Sequence, residues 1–431
     1  MKLKNEHEIR DPIHVFIHMN SDERRILDSP PIQRLRHIHQ LALTSYVYPG
    51  ASHTRFEHSI GTMEVATRIY DIVTDDSHNK YSDLTIDKSF DRQYWRRVIR
   101  LAALLHDIGH SPFSHAPEGL FPTGWNHERM TREIITSGYL DSLCRDLKIQ
   151  ADDVALLAVG PEKSDKKVVK NLEAILSEII IGDSFGADRI DYLLRDSYHS
   201  GVAYGKFDHY RLIETLRILP KYYEDSEEPA LGIEVGGLQS AEALLLARYF
   251  MFSQLYFHPI RRIYDIHLLD FLRVFLKGGK FPTEVDEYLK FTDNEIMTGI
   301  YAAYRDPKNP AHVYAKRIVE RKHFKVLYSR NPIDIAKTTE AGKAIFEAAC
   351  DKFGEDKIRY DPYVQKGSDV TFPVLEKDGR IVSSRMKSEV LNTLPVVKID
   401  TVYVEPGLEE TAKRWLKKER EGIIASKEMK K

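Results

Sequence analysis

The run LLHDIGHSPFSH, Leu104 to His115, places three histidines and an aspartate within twelve residues, directly after an apolar helical pattern. A lone histidine there would read as structural. An adjacent His106–Asp107 pair leaving a leucine-rich helix is different, because burying either group costs several kcal/mol unless something pairs with it. A divalent cation would supply that compensation. Two further stretches offer ligands. SHTRFEHSIG sets His58 near the start of an apolar-faced helix, with Arg55 three residues earlier. In GADRIDYLLRDSYHSG, at about 100° per residue, Asp188, Tyr192, Arg195, Asp196 and His199 share one face, and Ile190, Leu193 and Leu194 lie opposite. Taken alone, that stripe fits a solvated helix face as well as a site. Taken together, His58, His106, Asp107 and Asp188 make two imidazoles and two carboxylates. That mixture suits one borderline divalent metal such as Mn, Fe, Co, Ni or Zn, with Mg also compatible.

Helices have to position these groups. A helix is predicted from Pro30, pre-set by proline in its first turn, to just before Gly50. RFEHSIGTMEVATRIYDIV carries Met63, Ala66, Tyr70 and Val73 at helical spacing. RQYWRRVIRLAALLHDIGH buries Val98, Leu101, Leu104 and Leu105 and is stopped by Gly109 and Pro112, which places His106 and Asp107 in its last turn and His110 and His115 just beyond. Residues 1–11 read as an arm, and TDDSHNKYSDLTIDKSFD reads as a polar gap. Helical patterns run on to about residue 330. Beyond it SDVTFPVLE, RIVSSRM and IDTVYVEP read as short strands, the first two joined at Asp378-Gly379 as a hairpin, before a closing helix with a charged tail. The expected fold is mainly α: an all-helical domain over residues 1–330 and a small α+β lobe over 331–431.

Composition narrows the partners. Of 431 residues, 63 are basic and 65 acidic, so the net charge of −2 advertises neither nucleic acid nor an anionic membrane. The two cysteines, Cys144 and Cys350, have no metal-like spacing. MKLKNEHEIRDP lacks an apolar signal-like run, and no stretch approaches the ~18 apolar residues of a membrane span. The expectation is a cytoplasmic chain without membrane association.

The order H…HD…D resembles the HD-domain phosphohydrolase superfamily. From Asp11 to about Arg262 the chain looks like the deoxynucleoside triphosphate triphosphohydrolases, the group of bacterial dGTPases and SAM-and-HD-domain dNTPases. The resemblance rests on RDPIH, DSPPIQRLRHIHQL, YPGASHTRFEHSIG, LLHDIGHSPFSH, HERM, DRIDYLLRD and ARYFMFSQLYFH, in that order. It implies that His58, His106, Asp107 and Asp188 hold the metal. It also implies that His110 and His115 face the α-phosphate, and that His127 with Glu128 forms the His-Glu pair associated with catalysis. Arg55 and Arg248 would meet the phosphates, with Arg189 as a further available cation. Gln40, Leu41, Tyr192, Asp196 and Tyr256 would line the deoxyribose: Gln40 and Asp196 on the 3′-hydroxyl, Leu41 and Tyr256 crowding out a 2′-hydroxyl. Arg248 and Tyr256, eight residues apart, would share nearly one helical face. Asp28, Gln33 and Arg36 match the guanine-reading site of nucleotide-activated members, which implies a GTP or dGTP activator and a homo-oligomer, dimer or tetramer. HEIR, before DPIH, departs from the lysine-valine pair found there.

The chemistry fits that resemblance independently. Water must attack phosphorus in line with its leaving oxygen, and a metal lowers the water's pKa and polarises the phosphoryl oxygen. A 5′-oxygen leaves poorly unless an acid protonates it, which suits histidine. Several arginines offset a triphosphate's charge, and a Mg ion accompanying the nucleotide is compatible. The expected reaction converts a dNTP to deoxynucleoside and triphosphate. Alternatives are an HD phosphohydrolase acting on a nucleoside monophosphate, a guanosine alarmone or single-stranded nucleic acid, and a nucleotide-sensing scaffold that only binds.

Overall fold

Apolar residues recurring at helical spacing make helices dominate the chain. In the computed structural model, which describes residues 6–75, 77, 91–163, 171–221, 228–365 and 370–428, the helix Arg55–Val73 buries Phe56, Ile60, Met63, Ala66, Tyr70 and Val73. The helix Arg92–Leu105 starts where the Asp91 carboxylate accepts the Tyr94 N–H at 2.9 Å. It buries Val98, Leu101, Leu104 and Leu105, as its spacing predicts. Both pack together, and the helix Ala187–Ser200 packs on the first of them. The chain is mainly α, as expected. Most of the polar gap after Thr74 lies outside the described residues, as does the tip of the charged tail.

The contacts divide the chain into two compact units. One holds Met1–Met251, Lys280–Ile296 and Gly367–Pro395; the other holds Phe252–Gly279, Met297–Lys366 and Val396–Lys431. Residue 330 falls inside the second unit. Strand pairing explains why: Lys398–Val404 is the centre of an antiparallel sheet, flanked by Lys325–Ser329 and Ile358–Val364. The hairpin Pro373–Leu375/Ile381–Ser383 instead joins the first unit, where Pro373–Leu375 runs parallel to Pro229–Glu234. The closing helix, Glu409–Glu428, belongs to the second unit.

Three local expectations need correction. Within the stretch read as an arm, Glu6–Asp11 is a strand that pairs antiparallel with Val15–Asn20, and residues 1–5 lie outside the described residues. The helix expected from Pro30 ends at Gln33 and gives way to 3-10 turns over Arg34–His37 and Ala42–Tyr46. Between those turns His39 bridges Thr54 as extended chain, which frees the His39–Leu41 segment from helical geometry. The helical run to 330 is broken by Leu216–Pro220, antiparallel to Pro229–Glu234. All five residues of Leu216–Pro220 are buried, and a short apolar run of that kind does not distinguish strand from helix by period. Among the described residues no helix is long and apolar enough to cross a membrane, and both cysteines are free thiols.

Candidate active site

The four residues read as metal ligands converge within the first unit. His58 comes from the helix Arg55–Val73, His106 caps the helix Arg92–Leu105, Asp107 follows it, and Asp188 lies in the first turn of Ala187–Ser200. His58 Nε2 lies 3.0 Å from Asp188 Oδ1 and 3.5 Å from Asp107 Oδ2, and His106 Nε2 lies 3.4 Å from Asp107 Oδ1 and 3.6 Å from Asp188 Oδ1. Ligand atoms of His58, His106 and Asp188 all lie within 4.8 Å of one another.

Their chemistry fits a divalent cation. A backbone carbonyl or a carboxylate only accepts, so His106 Nδ1 donates to Ala103 O at 2.8 Å and His58 Nδ1 donates to Asp191 Oδ2 at 2.8 Å. Both imidazoles thereby turn Nε2 toward the carboxylates, and buried His106 Nε2 has no hydrogen-bond partner among the described residues. Burial opposes charge on His58, yet Asp188, Asp191 and Asp107 outweigh it and push its pKa up to about 10. Crowded carboxylates of this kind call for positive charge, which a metal ion provides.

Beside this cluster stands a second one. His110 and His127 stack with ring centroids 4.1 Å apart, and His115 meets them edge-on at 4.6 and 5.2 Å. Glu118 Oε1 accepts from His127 Nδ1 at 2.9 Å, and Glu118 Oε2 lies 3.9 Å from His115 Nδ1. Burial opposes ionisation of Glu118, but His127 overrides it and brings its pKa down to about 2. Although His110, His115, Glu118 and His127 could group around an ion, an ion bound by both stacked rings would have to lie in both ring planes. Stacked planes do not share such a point, so this quartet suits proton exchange better than coordination. His110 Nε2 is 3.3 Å from Asp107 Oδ1, which links the clusters. Burial, Arg55 and His127 hold the His110 pKa well below the ordinary imidazole value, so the ring is neutral near pH 7.

The loop carrying His110 and His115 is held in an uncommon conformation. Phe113 and Ser114 both have left-handed backbones, φ +58° and +60°. The Phe113 N–H donates to Asp293 Oδ1 at 2.6 Å, Ser114 Oγ donates to His39 O at 2.6 Å, and Tyr288 OH donates to Gly109 O at 2.8 Å. Gly109 admits the His127 helix: a Cβ there would sit 2.2 Å from His127 O.

The expected substrate residues are placed unevenly. Arg55 is buried, ion-paired with Asp107, and donates to Ser114 Oγ at 2.9 Å. Arg189 donates to Asp183 at 3.0 Å, and Tyr192 bonds with both Arg189 and Arg248. Burial and the neighbouring Arg189 lower the Arg248 pKa. Leu41 is buried, and Gln40 N donates to His53 O at 3.0 Å. Asp196, only 2% exposed, accepts from His53 Nε2 at 2.8 Å, so the polar stripe of Ala187–Ser200 is not a solvated face. Glu128 pairs with Lys163 and accepts from Asn126 at 2.8 Å; the partner of His127 is Glu118. Tyr256 does not share a regular helical face with Arg248, because a π-helical turn, Phe252–Tyr256, shifts the phase, and it belongs to the second unit. Gln33 Oε1 accepts from Arg36 Nε at 2.8 Å, Arg36 covers the Phe56 ring at 3.5 Å, and Asp28 pairs with Arg24 at 2.6 Å.

Three acidic residues that the sequence reading passed over prove central. Asp191 lies one turn beyond Asp188, and Glu118 stands three residues after His115, so helical and turn spacing could have flagged both. Asp293 carries no such local signal.

Comparisons with known proteins agree with this geometry. Residues 55–158 match the HD domain family, and residues 207–352 match the HD associated region. The chain is 40% identical over 257 residues to an uncharacterized protein of Methanocaldococcus jannaschii, covering 60% of this chain and 47% of that protein. It is 30% identical over 363 residues to the Homo sapiens deoxynucleoside triphosphate triphosphohydrolase SAMHD1, covering 75% and 55% respectively. The chain spans about half the length of the curated relatives it matches. A crystal structure of a hypothetical protein from Aquifex aeolicus is similar with a TM-score of 0.76 and 32% identity, covering 95% of this chain and 100% of that one. The chain belongs to the HD-domain phosphohydrolase superfamily, in the branch that resembles the deoxynucleoside triphosphate triphosphohydrolases.

Proposed function

We propose that this protein hydrolyses deoxynucleoside triphosphates at the α-phosphorus, releasing deoxynucleoside and intact triphosphate. The observation that carries the reading is the junction of the two clusters at Asp107, with one oxygen toward His106 and His110 and the other toward His58 and Arg55. His58, His106, Asp107 and Asp188 would hold the metal, which when bound lowers the pKa of water and polarises a phosphoryl oxygen. Mn, Fe, Co, Ni, Zn and Mg all suit that donor set.

His110, buried and neutral, presents an imidazole where the phosphate would lie against the carboxylates. Glu118 fixes a proton on His127 Nδ1, which leaves His127 Nε2 to exchange a proton at the reacting groups. His115 lies edge-on to both rings. Desolvation and the neighbouring His127 bring its pKa down to about 3, so it would face the phosphate as a neutral ring, and His127 is the group that would protonate the departing 5′-oxygen. Arg55, Arg189 and Arg248 neutralise the phosphates, the last two oriented by Tyr192. Gln40, Leu41 and Asp196 read the deoxyribose, Asp196 with His53 behind it. The Gln33–Arg36 pair and Asp28 form a candidate site for a GTP or dGTP activator in a homo-oligomer.

Incubating the full chain with each dNTP and with GTP, singly and mixed, with Mn or Mg, tests this directly. Deoxynucleoside plus triphosphate supports α-phosphorus attack, and turnover only in mixtures supports activation. Turnover of monophosphates or alarmones alone would move the assignment to another HD phosphohydrolase activity.

A further inference from the structure

Asp191 is wholly buried. Among the described residues its two oxygens take four hydrogen bonds, from His14, His58 and Arg195. Oδ2 accepts from His58 Nδ1 and from Arg195 Nε, both at 2.8 Å; Oδ1 accepts from His14 Nε2 at 2.7 Å and from Arg195 Nη2 at 2.8 Å. Arg195 is also fully buried, and its Nη1 donates to Asp11 Oδ2 at 2.8 Å. The other Asp11 oxygen, Oδ1, accepts the Ile13 and His14 N–H groups at 2.8 Å, which closes the turn of the N-terminal hairpin. Gly61 leaves room for the arrangement, since a Cβ there would sit 2.0 Å from Asp191 Oδ1.

We propose that Asp191 is the positioning residue of the metal site, holding His58 with Nε2 turned to the metal, and that the N-terminal hairpin keeps Asp191 in place through His14 and the Asp11–Arg195 pair. This role for Asp191 rests on the metal-binding half of the function proposed above. A carboxylate cannot donate while ionised, so the His58 nitrogen facing it must carry hydrogen. In the neutral ring that a metal would take, this leaves the lone pair on Nε2, the nitrogen that lies 3.0 Å from Asp188. An acceptor behind a ligating imidazole also raises its basicity and fixes its ring plane. His106 has only a backbone carbonyl in that role, at Ala103. His58 is therefore the ligand whose orientation a side-chain substitution can release.

The test uses the full chain without nucleotide. Mn affinity is read by electron paramagnetic resonance, and the ligand field by the visible spectrum of the Co-loaded protein. Asp191→Asn keeps shape and an acceptor oxygen but lets the amide present its NH₂ to His58. It should weaken Mn binding roughly 10–100-fold and shift the Co bands, in protein whose circular dichroism matches the wild type. His14→Ala, which leaves the Arg195 pair intact, should weaken binding in the same direction by less, and it carries the test if Asp191→Asn does not fold. Wild-type Mn affinity and an unshifted Co spectrum in the folded variants would overturn the proposal. Because no substrate is present, a wild-type protein that binds Mn but cleaves no dNTP would sink the substrate reading and leave this one standing.

Discussion

The Phe113 backbone N–H donates to the Asp293 carboxylate at 2.6 Å across 180 residues of chain. The second Asp293 oxygen accepts both the backbone N–H and the Nδ1–H of His39, at 2.8 and 2.7 Å. One carboxylate thus ties the loop of His110 and His115 to the segment of Gln40 and Leu41. It also helps offset two left-handed residues, Phe113 and Ser114, each costing on the order of 1–3 kcal/mol.

Replacing that carboxylate should therefore misplace chemistry rather than metal. Asp293→Ala is expected to lower kcat for dNTP cleavage by about 100-fold, the scale of a 1 Å misalignment. Mn affinity should barely move, since among the described residues the Asp293 carboxylate bonds to His39 and Phe113 and not to His58, His106, Asp107 or Asp188. Steady-state kinetics beside a Mn titration decides it: an unchanged kcat, or a parallel loss of Mn binding, would contradict the assigned role.

Much of this site was legible in the sequence because its ligands announce themselves locally. His106 and Asp107 end a strongly periodic helix, and Asp188 begins another. The strands Leu216–Pro220 and Pro229–Glu234 were not legible, since their own short runs carry no decisive period and Pro229–Glu234 completes its pairing only with the distant Pro373–Leu375. Asp293 was invisible for the same reason, as its value comes from contacts made across the chain. The polar stripe on Ala187–Ser200, taken alone, fitted a solvated face as well as a site, because nothing local shows that Arg195 meets Asp11 in a buried pair.

Two glutamates can be told apart by mutation. Glu118 accepts from His127, whereas Glu128 pairs with Lys163 and Asn126. Glu118→Gln should cut kcat by roughly 100-fold through loss of the charge that orients the His127 proton, and Glu128→Gln should cost far less. The reverse ranking would reassign the catalytic carboxylate to Glu128.

Metal removal should be visible in stability as well as in rate. Asp107, Asp188 and Asp191 all surround His58 within hydrogen-bond or ion-pair distance. A cation bound only by the folded state stabilises it by about 2.7 kcal/mol at a concentration 100 times its Kd. Thermal melting of wild type should rise on adding Mn after chelation, and Asp188→Ala should lose most of that rise. Equal rises in both proteins would place the bound Mn elsewhere.

Acid sensitivity should come partly from the second unit, far in sequence from any of these ligands. His267 is wholly buried, and its Nε2 accepts the Phe324 N–H at 3.1 Å, which requires a lone pair there. Burial, with Arg317 and Arg359 adding to it, lowers its pKa to about 2. The sign follows from linkage: below about pH 6.5 the unfolded chain takes up a proton at this histidine and the folded chain does not. Stability should therefore fall as pH drops below about 6.5, with His267 alone contributing a slope approaching 1.4 kcal/mol per pH unit until its folded pKa near 2. His267→Gln keeps an acceptor for Phe324 but cannot titrate in this range. Denaturant unfolding between pH 7 and pH 5 should show a shallower loss of stability in that variant, even if it starts from a lower value at pH 7. Parallel stability curves for the two proteins would mean that His267 is protonated in the fold after all, and that the Phe324 N–H has another acceptor.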